Sequence, residues 1–197
     1  MPKIAWKGAA LLAPVPPVMV TCGTHEKPNI ITVAWTGIIN THPPRLTIAV
    51  RPTRYSYALI RESGEFAVNL TPASLAREAD FCGIYTGAKV DKFARTGLHS
   101  AQAQVVSCPI IAESPLSLEC RVIEVLPQGT HDLFLADIVA INVDDELIDE
   151  NGRLCLERAD LCAYAHGEYF SLGRRLGAFG FSAAKKKKRP RAPQKKN

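Results

Sequence analysis

Glycine-rich phosphate loops are missing from this sequence. Neither G-x-G-x-x-G nor G-x-x-x-x-G-K-[ST] occurs, so neither common nucleotide-binding loop is available. The six cysteines, at 22, 82, 108, 120, 155 and 162, include no pair two residues apart. That spacing matches no zinc or dithiol redox framework, and the thiols read as reduced, buried small hydrophobes rather than disulfide partners. The histidines at 25, 42, 99, 131 and 166 fall at no metal-ligand spacing, and no Ser/His/Asp or Cys/His set stands out. Uninterrupted apolar runs are also lacking. "MPKIAWKGAALLAPVPPVMVTC" begins like a secretion signal, with two lysines before an apolar stretch, but Pro14, Pro16 and Pro17 break it. No small-x-small site follows it, and it is too short and too broken to span a bilayer. A cytoplasmic protein without membrane contact is the expectation. No internal repeat or interdomain linker is visible.

Acidic residues are absent from the last stretch, "KKKKRPRAPQKKN", which holds eight of the 24 basic residues. The rest then carries 16 basic against 19 acidic residues, so the net charge of +5 belongs to the tail and the body is mildly acidic. Hydrophobic residues make up 47% of the 197, enough for one domain with a real core. One domain over residues 1–182 is expected, followed by a disordered basic tail, 183–197.

Strands are expected at 18–24, 30–38, 45–50, 65–70, 116–127 and 132–145, from β-branched or alternating apolar runs bounded by turn residues. Residues 53–64 show helical spacing through Tyr55, Ala58 and Leu59, with Thr53 as N-cap and Gly64 past the end. A second helix is expected over 72–83, with Gly83 as its stop, and a short one after the polar loop from residue 84. Hairpin-spaced strands with helices in the connections describe a mainly β protein, a β-barrel with helical insertions. Strands and helices do not alternate regularly, which disfavours a doubly wound sheet.

Three stretches carry candidate chemistry. "RPTRYSY" (51–57) sets Arg51, Thr53, Arg54 and Ser56 at a strand-to-helix joint. There guanidinium groups, hydroxyls and the unpaired N–H groups of a helix start form a cup for a phosphate. A solvated helix start capped by Thr53 fits the same residues. "TVAWTG" (32–37) flanks a tryptophan with small residues, either as core packing or as a low strand surface against which a flat ring lies. "TGAKVDKF" (86–93) combines the backbone freedom of Gly87 with Lys89 and Lys92, as an anion-closing loop or a plain surface turn. His131, after a Gly-Thr turn and before a strand, is a titratable group able to point into a site.

Taken in order, "PNIITVAWTG", "PPRLTIAVRPTRYSYALIRESGEFAVNL", "ADFCGIYTGAKVDKF" and "PLSLECRVIEVLPQGTHDLFLADIVAI" resemble the flavin reductase-like family of FMN-binding split-barrel proteins, and within it the flavoredoxins. The resemblance spans roughly residues 10 to 175. It implies a dimeric split barrel with Greek-key connections and FMN near the subunit interface. It implies that Ala34, Trp35 and Thr36 line the isoalloxazine and ribityl chain, and that Arg51, Thr53, Arg54 and Ser56 hold the ribityl and phosphate. Gly87, Lys89 and Lys92 would close over the cofactor, from the same or the partner subunit, and His131 is a candidate catalytic residue near flavin or nicotinamide. NADH, NADPH or a redox protein would supply the electrons, making the chain a flavin reductase or an electron carrier. One departure stands out: many relatives have a glycine where this chain has Ala136, in "FLADIV". The competing reading is a non-enzymatic nucleic-acid-binding protein acting through the basic tail, although that tail has no aromatic residue for stacking bases.

Overall fold

A computed structural model describes residues 1–183; the basic run expected to form a tail lies outside them apart from its first residue. Eleven strands and three α-helices are formed among the described residues. β1 (Val18–Gly23), β2 (Pro28–Val33), β3 (Thr36–Thr41) and β4 (Pro44–Val50) precede α1 (Tyr55–Ser63) and β5 (Glu65–Leu70). α2 (Ala76–Ile84) and α3 (Lys92–Thr96) follow, then the short β6 (Ser100–Ala101) and β7 (Ile110–Ile111). The long pair β8 (Leu116–Pro127) and β9 (Asp132–Val143) precedes a final hairpin, β10 (Cys162–Ala165) and β11 (Glu168–Ser171).

Seven strands make one antiparallel sheet in the order β2-β1-β5-β8-β9-β4-β3. The alternation of the sequence sets its inner face. Val18, Val20 and Cys22 of β1, Leu46, Ile48 and Val50 of β4, Phe66 and Val68 of β5, and Phe134 and Ala136 of β9 all point into one core. Ile31 and Val33 of β2 join that core although β2 and β4 lie near opposite ends of the sheet, so the sheet curls on itself as a barrel. Bulges at Ile38/Asn40, Glu119/Cys120 and Val122/Glu124 accompany the curvature. Ile60 of α1 packs against this core. The outer face of β1 and β2 is covered as well: Met19 and Ile30 meet Ala79 and Cys82 of α2 and Phe93 of α3. Double coverage explains why β1 is buried along its whole length and reads as an almost continuous apolar run.

The expected single strand at 30–38 is two strands. β2 ends at Val33, paired with Val18, and β3 begins at Thr36, paired with Ile48, so Ala34 and Trp35 carry the chain from one sheet edge to the other. The Trp35 carbonyl accepts from the Ala49 N–H at 2.9 Å, which ties the bend to β4. The residue before α1 is Arg54, not Thr53, in extended backbone and without a side-chain cap. Gly64 ends α1 as expected, with φ +68 and its N–H on the Ile60 carbonyl. The buried face of α1 carries Ser56 and Ile60 with Tyr57 and Leu59 beside them, while Ala58 is exposed. Tyr57 selects that face: its hydroxyl donates to the Asp132 carboxylate at 2.6 Å and its ring meets Phe134 edge-on at 5.3 Å. Gly83 lies inside α2, which continues to Ile84.

Ala136 shows how the chain accommodates its departure from the glycine pattern. It is fully buried between Leu46 and Val122, and the next residue, Asp137, pairs with Arg45 at 2.8 Å. A methyl group fills the barrel interior there. All six cysteines are buried and unpaired with one another, and burial pushes the Cys22 and Cys82 thiols up to about 11. Among the described residues no helix is long and apolar enough to cross a membrane.

Candidate functional site

At one mouth of the barrel a cleft of about 400 Å³ opens where five pieces of chain converge. The end of β2 and its bend supply Ala34 and Trp35. The end of β4 and the joint to α1 supply Arg51 and Arg54. The last turn of α2 supplies Asp80 and Gly83, and the β8–β9 turn supplies His131. Tyr164 and Tyr169, from the β10–β11 hairpin, complete the wall.

The joint between β4 and α1 is a tight turn in which the Arg54 N–H donates to the Arg51 carbonyl at 2.9 Å. It places both guanidinium groups on the cleft. Arg54 donates through Nη2 to the Gly83 carbonyl and so links the start of α1 to the end of α2. Arg51 is exposed, and its Nε donates to His131 Nε2 at 3.4 Å. α1 begins with no acidic residue in its first turn and no side-chain cap. Arg54, the residue at that helix start, lines the cleft, so the partial positive charge of the α1 terminus lies next to a cleft-lining residue.

His131 is held from three sides. Thr130 Oγ1 lies 3.0 Å from Nδ1, Arg51 approaches Nε2, and the Trp35 ring lies 4.6 Å from the imidazole at a tilt of 47°. Burial, and then the positive charge of Arg51, lower its pKa below the ordinary histidine value, so the ring is neutral near pH 7. With Nε2 accepting from Arg51, the ring proton sits on Nδ1. Opposite, burial and the neighbouring Asp80 carboxylate push the Tyr169 hydroxyl up to about 12, so it stays protonated.

Five of the eleven candidate residues from the sequence meet at this cleft: Ala34, Trp35, Arg51, Arg54 and His131. The other six are placed elsewhere. Thr36 donates its hydroxyl to the Thr47 carbonyl at 2.8 Å. Thr53 is exposed beside the α1 start. Ser56 is buried and accepts from Asn29 Nδ2 at 2.7 Å. Gly87 packs against that same asparagine: a Cβ there would lie 1.9 Å from Asn29 Oδ1 and 2.9 Å from the Tyr55 ring. Close approach, rather than backbone freedom, is what requires a glycine at 87. Lys92 is buried, its ammonium donating to the Ile30 carbonyl at 2.6 Å and the Cys82 carbonyl at 2.8 Å. Burial, with Arg54 nearby, lowers its pKa to about 8. Of the three loop residues, only Lys89 is exposed, in a separate depression beside Phe81 and Tyr85.

Sequence reasoning missed Asp80, Gly83, Tyr164 and Tyr169. The only local signal was the His166-Gly167 turn: both residues have positive φ, which marks a tight hairpin between β10 and β11.

The curled antiparallel sheet, whose end strands β2 and β3 do not pair, with two arginines and the rings of Trp35, His131, Tyr164 and Tyr169 around one cleft, defines a split-barrel fold. The chain belongs to the flavin reductase-like family: the family model for the flavin reductase like domain matches residues 11–173. Its fold is similar to the flavoredoxin of Desulfovibrio vulgaris (Miyazaki F), with TM-score 0.84 and 30% identity over 93% of this chain and 100% of that one. It is also similar to the flavoredoxin from Methanosarcina acetivorans, with TM-score 0.83 and 26% identity over the same shares. Among curated sequences, an uncharacterized protein of Aeropyrum pernix is 36% identical over 137 residues, 68% of this chain and 52% of that protein. The chain thus spans about half the length of that archaeal relative. Flavin-related redox chemistry is the class of function that family membership defines.

Proposed function

We propose that the chain is an FMN-binding oxidoreductase that passes electrons from NADH, NADPH or a protein donor onto FMN. One observation carries this reading: the guanidinium groups of Arg51 and of Arg54, which stands at the uncapped start of α1, share a single cleft with the Trp35–His131 pair. A phosphate-bearing ligand with a flat ring matches that combination of groups.

Within this reading Arg51, Arg54 and the first N–H groups of α1 hold the phosphate, with Thr53 at its rim and Lys92 adding positive charge from below. Ala34, Trp35 and Thr36 shape the bend against which the ring lies, and His131, held by Arg51 and Thr130, sets a neutral imidazole face beside Trp35 at the ring's edge. The bound flavin supplies hydride and electron chemistry, and the protein's part is to position it, exclude water and limit what approaches. Trp35 and Tyr164 wall the cleft, while burial and then Arg51 disfavour a charged His131. A homodimer fits the exposed apolar edge of the sheet, where Ile38 and Ile39 of β3 are 61% and 54% exposed. The loop carrying Gly87 and Lys89 then closes the cofactor site from one subunit or the other.

The test is the absorption spectrum of the purified protein and its response to added FMN, followed by anaerobic NADH and NADPH. Rapid bleaching by a nicotinamide identifies a reductase. Slow bleaching, with fast reduction by a protein donor, identifies a carrier. A protein that binds no FMN sinks the proposal.

A further inference from the structure

Charge is divided along this chain without overlap. All 19 acidic residues lie from Glu26 to Glu168. The stretch before Glu26 carries Lys3 and Lys7, and the stretch after Glu168 carries ten basic residues. The two flanks thus hold 12 of the 24 basic residues and no acidic one. Unpartnered apolar side chains stand on the same flanks, since residues 1–14 and 171–183 are exposed throughout. In the first flank Trp6 is 75% exposed between Lys3 and Lys7, with Ile4, Leu11 and Leu12 also exposed. In the second, Leu172 and Leu176 are exposed and lead into two successive turns. There the Phe181 N–H donates to the Ala178 carbonyl and the Ala183 N–H to the Gly180 carbonyl, both at 3.0 Å. The Phe181 ring folds over Gly177, where a Cβ would come within 2.5 Å of it, and Phe179 is left fully exposed. The sequence continues from residue 185 as "KKKKRPR".

Both flanks leave the barrel beside one strand. Val15 and Tyr164 of β10 exchange backbone hydrogen bonds at 2.9 and 2.8 Å, and Ser171, which ends β11, pairs with Cys162 of β10. Two cationic, apolar segments therefore depart from the two edges of β10. A protein partner is a poor match, because lysine is depleted from protein interfaces. A nucleic acid would use the cations and the aromatic rings but leave the leucines and Ile4 in water. An anionic lipid surface uses every group: the headgroup–acyl boundary takes Trp, Phe and Leu, and the headgroups take Lys and Arg. We propose that the two flanks together form a face that binds anionic membranes, with Trp6 and Phe179 as its leading apolar anchors. The contact is peripheral, since among the described residues no helix is long and apolar enough to cross a bilayer. The expectation of no membrane contact rested on the lack of a spanning run, and surface attachment needs none.

The test floats the full chain with vesicles of phosphatidylcholine alone, or of phosphatidylcholine with about 30 mol% phosphatidylserine. Binding at least about tenfold stronger to the anionic vesicles is expected, falling as salt rises from about 0.1 to about 0.5 M. Trp6→Ser with Phe179→Ser should weaken that binding by about tenfold or more. Replacing Lys185, Lys186, Lys187 and Lys188 together by Gln should do the same. Trp6 and Phe179 are exposed, so their double variant should keep the wild-type melting temperature. No binding, equal binding to the two vesicle types, or unchanged binding of the Trp6–Phe179 variant overturns the inference. Full release from anionic vesicles by a charge-matched amount of single-stranded DNA would assign the flanks to nucleic acid and also overturn it. So would a Trp6–Phe179 variant that is monomeric by light scattering where the wild type is dimeric, because a second copy would then cover these residues.

Discussion

Arg54 does two things at once: it presents charge to the cleft and it bonds the Gly83 carbonyl across to α2. Arg51 presents charge with one contact, to His131. If the two hold a phosphate, Arg51→Ala and Arg54→Ala should each weaken FMN binding by about 10- to 100-fold, the value of one charge-assisted hydrogen bond to a phosphate. Fluorescence titration of FMN measures this, and unchanged affinity in both variants would count against the phosphate assignment. The alternative of a bland helix cap at Thr53 makes a different claim. Thr53 caps nothing, so Thr53→Ala should shift unfolding stability by less than about 0.5 kcal/mol, where loss of a genuine cap costs about 1 kcal/mol. Gly87→Ala should be the damaging change, because its methyl would overlap the Asn29 side chain that supports Ser56. A loss of about 1–3 kcal/mol in chemical denaturation is expected, and a neutral result would mean that the loop moves freely away from β2.

Elements differ in how plainly they were written into the chain. β4 and the first half of β9 were legible because interior residues alternate with more exposed ones, and β5 and β8 because apolar runs lie between Gly or Pro residues. The bend at Ala34–Trp35 was not, since β-branched residues on both sides, Ile30–Val33 before it and Thr36, Ile38 and Ile39 after it, hide a crossing that the sheet order reveals. Among the site residues, Arg51 and Arg54 were legible from charge density at a strand-to-helix joint, and His131 from its turn. Asp80, Tyr164 and Tyr169 were not, because α2 and the last hairpin reach the cleft through tertiary packing and leave no local pattern. Lys92 was legible as a cation in a loop, but its burial against the Ile30 and Cys82 carbonyls was not.

Glu119 on β8 ties a loop to the sheet through its charge. Its carboxylate is fully buried and accepts from the N–H groups of Gln104, Val105 and Val106 and from Asn142 Nδ2, pinning the 103–108 loop over β5 and β8. Burial raises its pKa, but the four hydrogen bonds outweigh burial and hold it below the ordinary carboxylate value. A folded pKa below the unfolded one means that its contribution is complete above the ordinary carboxylate range and is lost as pH falls through the folded value. Glu119→Gln should therefore cost about 1–3 kcal/mol at neutral pH. The gap to wild type should narrow in acid, with faster amide exchange at residues 104–106. A pH-independent gap would show that the carboxylate's charge is not what holds the loop.

At the scale of the whole molecule, the barrel leaves β3 as an edge strand with two exposed isoleucines. A second subunit is the proposed cover. Ile38→Lys with Ile39→Lys should convert a dimer into a monomer in light-scattering chromatography while the barrel stays folded; a wild-type monomer at micromolar concentration would remove the dimer from the account. The cleft is built jointly by the barrel, the joint before α1, and α2. Its most direct test is an FMN titration of the purified protein, followed at the flavin band near about 450 nm. Saturable binding of one FMN per chain, weakened in both arginine variants and accompanied by a rise in melting temperature, is the predicted result. An unchanged spectrum and melting temperature at saturating FMN would contradict it.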